Sequence, residues 1–363
     1  MPSFRGISTP LENALLVQCA PAQALRAAEL ADRAGGGLVI SGSTAAAQAS
    51  ALRRQGAAFP ILCDAQRYTG RKRAFADADF SPQWLAVQRA LGGPVLTDSG
   101  YVAKRDITGL RSILRRTLPL GDAVFATLPL HADWLKDQQD REVLLHEVSF
   151  ARVPIALALE HAADPLGVQQ VLRGLLDLLA TDVPVLLLRS DVSAIGALCH
   201  GAHAAAIGTT TALRHVYPLP KPGAGGGGRR AGVAVFVPHC LSYLGADKVA
   251  GAVQRTPDMS HLWACDCTAC GGRPMDHFAT TTDEPTRTDT AFRHSIDRLH
   301  ELRDELLAPH LTDTDRRLAW HERCTAASTH HAEIATELFG WRPPPFLTAW
   351  RKAWQPVPTP RPR

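Results

Sequence analysis

The chain has 363 residues, enough for one large barrel or two medium domains, and it can bury a substantial core. No apolar run reaches the roughly 18–20 residues a membrane span requires, so a soluble protein with no membrane partner is expected. A formal charge of +4 permits nucleic-acid binding without demanding it. The first twenty residues hold one early arginine and no compact apolar segment ahead of a small-residue cleavage site, so they do not read as a secretory leader and a cytoplasmic location is expected.

In chain order, short and nearly continuous apolar runs bounded by Gly, Pro or Asp predict strands at 36–41 (GGLVIS), 59–63 (FPILC), 94–98 (PVLTD), 123–128 (AVFATL), 153–159 (VPIALAL), 183–188 (VPVLLL), 204–208 (AAAIG) and 231–237 (AGVAVFV). Alanine- and leucine-rich helical patterns such as 21–34 and 166–180 lie between most of them. Alternating units of this kind imply a parallel sheet. Eight of them predict an α/β fold of the (β/α)₈ TIM-barrel type over residues 1–258, with an open doubly wound sheet as the alternative.

In a barrel, chemistry belongs to the carboxyl ends of the strands and the loops after them. The polar residues there are Asp64, Asp98 with Ser99, His131 with Asp133, Glu160 with His161, Arg189 with Asp191, and Thr209, Thr210 and Thr211 with Arg214 and His215. Each Asp, Ser or Thr among them also suits a helix N-cap, a purely structural duty. The stretch 218–232 (PLPKPGAGGGGRRAG) breaks the pattern. Four consecutive glycines beside Lys221, Arg229 and Arg230 predict either a basic loop that closes over an anionic ligand such as a nucleic-acid backbone, or a solvated linker. No spacing matches a phosphate-binding Walker loop or a dinucleotide fingerprint.

Three of the eight cysteines crowd into ACDCTACGG. Cys265, Cys267 and Cys270 form C-x-C-x₂-C, a spacing that aims three thiolates at one tetrahedral ion and needs a fourth ligand to close a structural zinc site. In a reducing compartment a metal site is expected over a disulfide framework. His294, at the head of an amphipathic helix pattern at 291–307, is the expected fourth ligand, while His277 lies close in sequence and His300 nearly two turns along the helix. The zinc segment and its helix then occupy 259–310, ahead of a helical, tryptophan-rich tail at 311–363.

The C-x-C-x₂-C run with a histidine at the head of the following helix resembles the zinc motif of the tRNA-guanine transglycosylases and the related enzymes that place deazaguanines in DNA. Thr97-Asp98-Ser99-Gly100 is similar to the start of that family's D-S-G-G-F-Q stretch. The resemblance implies a barrel with a zinc subdomain and exchange of guanine for a deazaguanine base in tRNA or DNA. It also implies Asp98 in base recognition and proton transfer, with Ser99 and Gly100 in the base pocket. Two departures stand beside it. Tyr101 and Val102 replace G-F-Q, and Ala206 stands where the family's nucleophilic aspartate aligns. Asp191, at the preceding strand end, is the expected substitute, with Arg189 at the pocket rim and Arg229 and Arg230 on nucleic acid. The alternative is a non-catalytic, zinc-stabilised scaffold that binds nucleic acid or pairs with an active subunit, as a homo- or heterodimer. In the tail, Trp341, Trp350 and Trp354 interleave with Arg342, Arg351 and Lys352. They serve either to stack single-stranded nucleic acid or to dock the tail on the domain.

Overall fold

The computed structural model describes residues 11–219 and 232–353. The first of these stretches alternates strand and helix: β1 (Ala14–Cys19), α1 (Ala24–Ala31), β2 (Leu38–Ser41), α2 (Ala45–Arg54), β3 (Ile61–Asp64), α3 (Pro82–Ala90), β4 (Val95–Leu96), α4 (Ile107–Thr117), β5 (Val124–His131), α5 (Asp133–Lys136), α6 (Gln138–Ala151), β6 (Ile155–Glu160), α7 (Gln169–Leu179), β7 (Val185–Ser190), α8 (Ser193–Cys199) and β8 (Ala204–Gly208). The strands pair in parallel in the order β3-β2-β1-β8-β7-β6-β5-β4. Because β3 also lies beside β4, the sheet curls into a nearly closed barrel.

The expected fold is present with one change of membership. The barrel's first strand is β1, a stretch not among the predicted strands, and the predicted strand at 231–237 lies outside the barrel. It is β9 (Ala234–Val237), antiparallel to β10 (Ser242–Gly245) in a separate two-stranded sheet. Both segments are short apolar runs, and periodicity alone cannot tell a doubly buried barrel strand from a strand of another core.

Side chains alternate across a strand, so one register fills the barrel and the other meets the helices. Leu16, Val39, Leu62, Phe125, Ala158 and Ala206 belong to the interior cluster. Val17, Leu38 and Ile40 pack outward with the alanines of α1 and α2. In the interior, Leu16 sits beside Ala206 and Leu186 beside Ala204, a large-against-small arrangement that lets layers interdigitate. Each such leucine or phenylalanine contributes about 1.5–3 kcal/mol by leaving water. One step further along the same register the apolar filling stops. Gln18 follows Leu16, Ser41 follows Val39, Asp64 follows Leu62 and Glu160 follows Ala158, and all four are buried. The carboxyl end of the barrel is therefore closed by a polar layer.

The remaining described residues comprise the β9–β10 hairpin, α9 (Ala246–Arg255), α10 (Ser260–Trp263), α11 (His277–Thr280), α12 (Glu284–Leu306), α13 (Asp313–Glu337) and α14 (Pro345–Ala353). The hairpin and α9 share one hydrophobic cluster with Trp263, the three clustered cysteines, Phe278 and Trp341. The helices then return to the barrel. Arg303 of α12 donates from Nε and Nη2 to the Asn13 carbonyl at 3.0 and 2.7 Å. Trp320 and Trp350 meet edge-on over α8, where a side chain on Gly196 would lie 2.5 Å from the Trp320 indole nitrogen. Trp350 Nε1 donates to Ser193 Oγ at 3.1 Å, and Trp341 Nε1 to His331 Nδ1 at 2.8 Å. Trp341 and Trp350 thus dock the tail, leaving Arg351 and Lys352 exposed, and Trp354 lies outside the described residues. Among the described residues no helix is long and apolar enough to cross a membrane.

Candidate active site and metal centre

The cysteine run folds as a tight turn. Cys270 N and Gly271 N both donate to the Cys267 carbonyl, at 3.0 and 2.9 Å, and Gly271 and Gly272 take the left-handed conformation that glycine adopts without strain. This brings Cys265, Cys267 and Cys270 onto the buried face of α12, where His294 is fully buried. The four ligand atoms all lie within 4.8 Å of one another, and His294 Nδ1 is 3.3–3.4 Å from each sulfur. A tetrahedral zinc with bonds of about 2.3 Å to sulfur and 2.0–2.1 Å to nitrogen separates sulfur from nitrogen by about 3.5 Å, so the group fits such an ion. His294 Nε2 donates to the Phe236 carbonyl at 2.7 Å, which fixes the tautomer that turns the Nδ1 lone pair towards the thiols. His277 instead bonds the Pro274 carbonyl through Nδ1, and His300 is buried six positions further along α12; neither belongs to the group. The remaining five cysteines are buried free thiols. Burial pushes Cys19, Cys63, Cys199 and Cys240 up to about 12, which leaves them unreactive.

At the barrel mouth, Asp64 Oδ2 accepts from Gln18 Nε2, Ser41 Oγ and Tyr68 OH at 3.3, 3.0 and 2.8 Å. Arg189 joins this network. Its Nε donates to Tyr68 OH at 2.9 Å and its backbone N–H to Gln18 Oε1 at 2.6 Å, with φ of 50° in the left-handed region. Arg189 is buried, and its Nη2 has no partner among the described residues. His215 stands nearby, also buried. Burial first, then the charges of His161 and Arg189, lower it to about 4, so it is neutral at physiological pH.

Asp98 follows β4 and is 3 % exposed. Its carboxylate pairs with Arg67 Nη1 at 2.5 Å and accepts from the N–H of Ser81, the N-cap of α3, at 3.0 and 3.2 Å. Ser99 shares a 2.8 Å hydrogen bond with Thr97, whose hydroxyl also accepts from Thr127 N. Gly100 is where the β3–α3 loop touches down, since a side chain there would lie 2.0 Å from the Phe75 carbonyl oxygen. Glu160, expected among the polar strand ends, completes the group together with Tyr101 and Arg73, which sequence reasoning left without a role. Glu160 accepts from Tyr101 OH and pairs with Arg73, whose guanidinium lies 3.7 Å over the Tyr101 ring. Burial and the Glu160 hydrogen bond raise the Tyr101 phenol far above its ordinary value, so it stays protonated. Asp98 and Glu160 are thus each matched by an arginine of one loop.

Asp191 occupies a different environment. It accepts from Ser193 N at 3.2 Å at the head of α8, and loss of surrounding water raises its pKa while Arg214 opposes the rise. Its neighbour Asp164, with Oδ1 bonded to Leu166 N and Oδ2 without a hydrogen-bond partner among the described residues, is raised well above the ordinary carboxylate value by desolvation first and then by Asp191. Below an unfolded-state pKa of about 3.9, Asp164 is protonated in both states. Above it the unfolded chain releases its proton first, so stability is lost as the pH rises through the folded value. Asp164→Asn keeps the Oδ1 acceptor and is therefore expected to raise the melting temperature by about 2 °C or more at neutral pH, with little change near pH 4, by calorimetry at both pH values.

A cavity of about 340 Å³ between the end of β8 and the C-terminal part is lined by Thr209, Thr210, Arg214, Tyr243 and Phe292 among others, and by neither Asp98 nor Asp191. Ala206 is fully buried in the barrel interior, and Arg229 and Arg230 lie outside the described residues. Fold and site together define an eight-stranded parallel barrel protein with a buried Cys₃His metal-site group after the barrel. No protein-family model matches the chain, and no curated protein matches it.

Proposed function

We propose that this chain exchanges guanine for a deazaguanine base in nucleic acid, as a divergent relative of the tRNA-guanine transglycosylases, and that its Cys₃His group holds a structural Zn²⁺. The observation that carries the reading is the turn from Asp98 to Tyr101 at the barrel mouth, with Glu160 opposite Tyr101, in the same chain as a closed, thiolate-rich metal group. Three thiolates and an imidazole leave no open position, so the ion supplies folding energy.

Base exchange by double displacement needs a nucleophile on the sugar and an acid near the departing base. A carboxylate oxygen bonds to C1′ as the glycosidic C–N bond breaks, and the departing base takes a proton. The incoming base then displaces the carboxylate through its own ring nitrogen and returns a proton. Asp98 is the proposed proton-transfer residue, with Ser99, Gly100 and Arg189 around the base. Asp191, whose carboxyl pKa burial raises and Arg214 pulls back towards the ionised form, is the proposed nucleophile. A second reading, a non-catalytic nucleic-acid-binding scaffold or partner subunit, is favoured by Ala206 at the aligned position and by the arginines that neutralise Asp98 and Glu160.

The test is incubation with tRNA or duplex DNA and labelled guanine or 7-deazaguanine. Label is expected in the polymer with the wild type and lost with Asp98→Asn at unchanged zinc content. A covalent protein–nucleic acid complex lost in Asp191→Ala identifies the nucleophile. Absence of both label and complex leaves the scaffold reading.

A further inference from the structure

The first part of the loop between β3 and α3, residues 65–75, reads AQRYTGRKRAF, with four basic residues in seven positions and no acidic one; Asp77 and Asp79 follow, and Asp79 pairs with Arg116 of α4. It leaves β3 and delivers Arg73 to Glu160 at the end of β6, so it lies across the mouth of the barrel. Its two faces differ. Arg67 and Arg73 turn inward to Asp98 and Glu160. Arg71 and Lys72 turn outward: they are the two central residues of a turn closed by Arg73 N donating to the Gly70 carbonyl at 3.2 Å, and both are exposed. Neither makes a side-chain hydrogen bond or ion pair among the described residues.

The loop is held in place before any partner arrives. Ala74 N donates to the Arg67 carbonyl at 2.8 Å, Tyr101 N to the Ala74 carbonyl at 2.8 Å, and Ala76 N to the Tyr101 carbonyl at 3.0 Å. Two free cations on a preformed turn cost little ordering entropy when they meet an anion. Beside them Phe75 leaves half of its surface in water, its ring in a T-shaped pair with Tyr101 and with the Arg73 guanidinium 5.6 Å over one face. Paired cations next to an exposed aromatic ring suit a chain that offers phosphates at regular spacing and flat bases between them.

We propose that this turn is the phosphate-backbone contact of a single-stranded or locally opened nucleic acid, with Arg71 and Lys72 on successive phosphates and Phe75 against a base, holding the strand over the barrel mouth. The assignment rests on the base-exchange reading for the identity of the polymer and adds to it the surface that grips it.

The experiment is fluorescence anisotropy with a labelled 20-nucleotide single-stranded DNA, the matching RNA and a duplex, over a salt series, using the full chain. Arg71→Ala/Lys72→Ala is expected to weaken single-strand binding at least about tenfold near 0.1 M salt. It should flatten the slope of log affinity against log salt by about 1.4, two contacts at about 0.7 each, with the melting temperature unchanged. Phe75→Ala should weaken single-strand binding about fivefold or more and leave the slope alone. Unchanged affinity and slope in the double variant overturn the proposal. So does an outcome in which phosphatidylserine vesicles, and not nucleic acid, bind the wild type and release the double variant. If the double variant loses binding while no variant or wild type ever exchanges a base, the catalytic reading alone fails. If exchange proceeds in the double variant with wild-type KM, this surface assignment alone fails.

Discussion

Cys267→Ser is expected to release the metal and melt the part of the molecule built around it. Ligand binding at such sites supplies on the order of 10 kcal/mol or more, and in a site preorganised only by the fold that energy is folding energy. The group holds α10 and the cysteine turn against α12, and through the His294–Phe236 hydrogen bond it also anchors the β9–β10 hairpin. Calorimetry should show an early transition split from that of the barrel, and hydrogen exchange should accelerate across residues 234–294 while β5 and β6 keep their protection. Metal analysis should give close to one zinc per wild-type chain and less than half an equivalent in the variant. A single unshifted transition with zinc retained would mean that the thiol of Cys267 is not a ligand.

Glu160→Ala is expected to cost about 3–5 kcal/mol, because it leaves Arg73 charged, largely buried and unpaired, and strips Tyr101 of its acceptor. Glu160→Gln keeps an acceptor for Tyr101 and should cost about 1–3 kcal/mol. The two variants separate charge from shape: if the β3–α3 loop is held by the ion pair, limited proteolysis should cut near Arg71 and Lys72 in both, and faster in the alanine variant. Equal urea midpoints for both variants and the wild type would refute a structural role for the pair.

The metal group was legible because its spacing is local. C-x-C-x₂-C followed by Gly271 and Gly272 encodes a turn, and His294 lies on the buried face of α12, which begins at Glu284, seven residues ahead of the predicted start at 291. The barrel was legible as a class because eight short apolar runs alternate with helices. Its first strand was not, since Ala14–Cys19 is an apolar run indistinguishable from β9 until pairing is known. Least visible was the mouth. Asp64 reads as a cap after an apolar run, Gln18 and Ser41 are single polar residues at the ends of apolar runs, and only closure of the barrel gathers them. Arg67 and Arg73 look like solvated loop charges, and their partners lie 31 and 87 positions away. Gly100 was visible as part of a motif, whereas the Phe75 carbonyl that forbids a side chain there was not.

The pairing of β1 with β8 sets a schedule for the newborn chain. The β8-facing side of Leu15 and Leu16 stays unpaired until Ala205 and Ala206 emerge from the ribosome, and Asn13 meets Arg303 290 positions later. At about 5–20 residues per second, β1 waits on the order of 10–40 s for β8. During that time the strand formed by ALLVQC, all six residues buried in the finished molecule, is one open edge of a growing sheet. A holding chaperone that recognises short apolar strands would meet this open edge long before the last helices arrive to staple the seam.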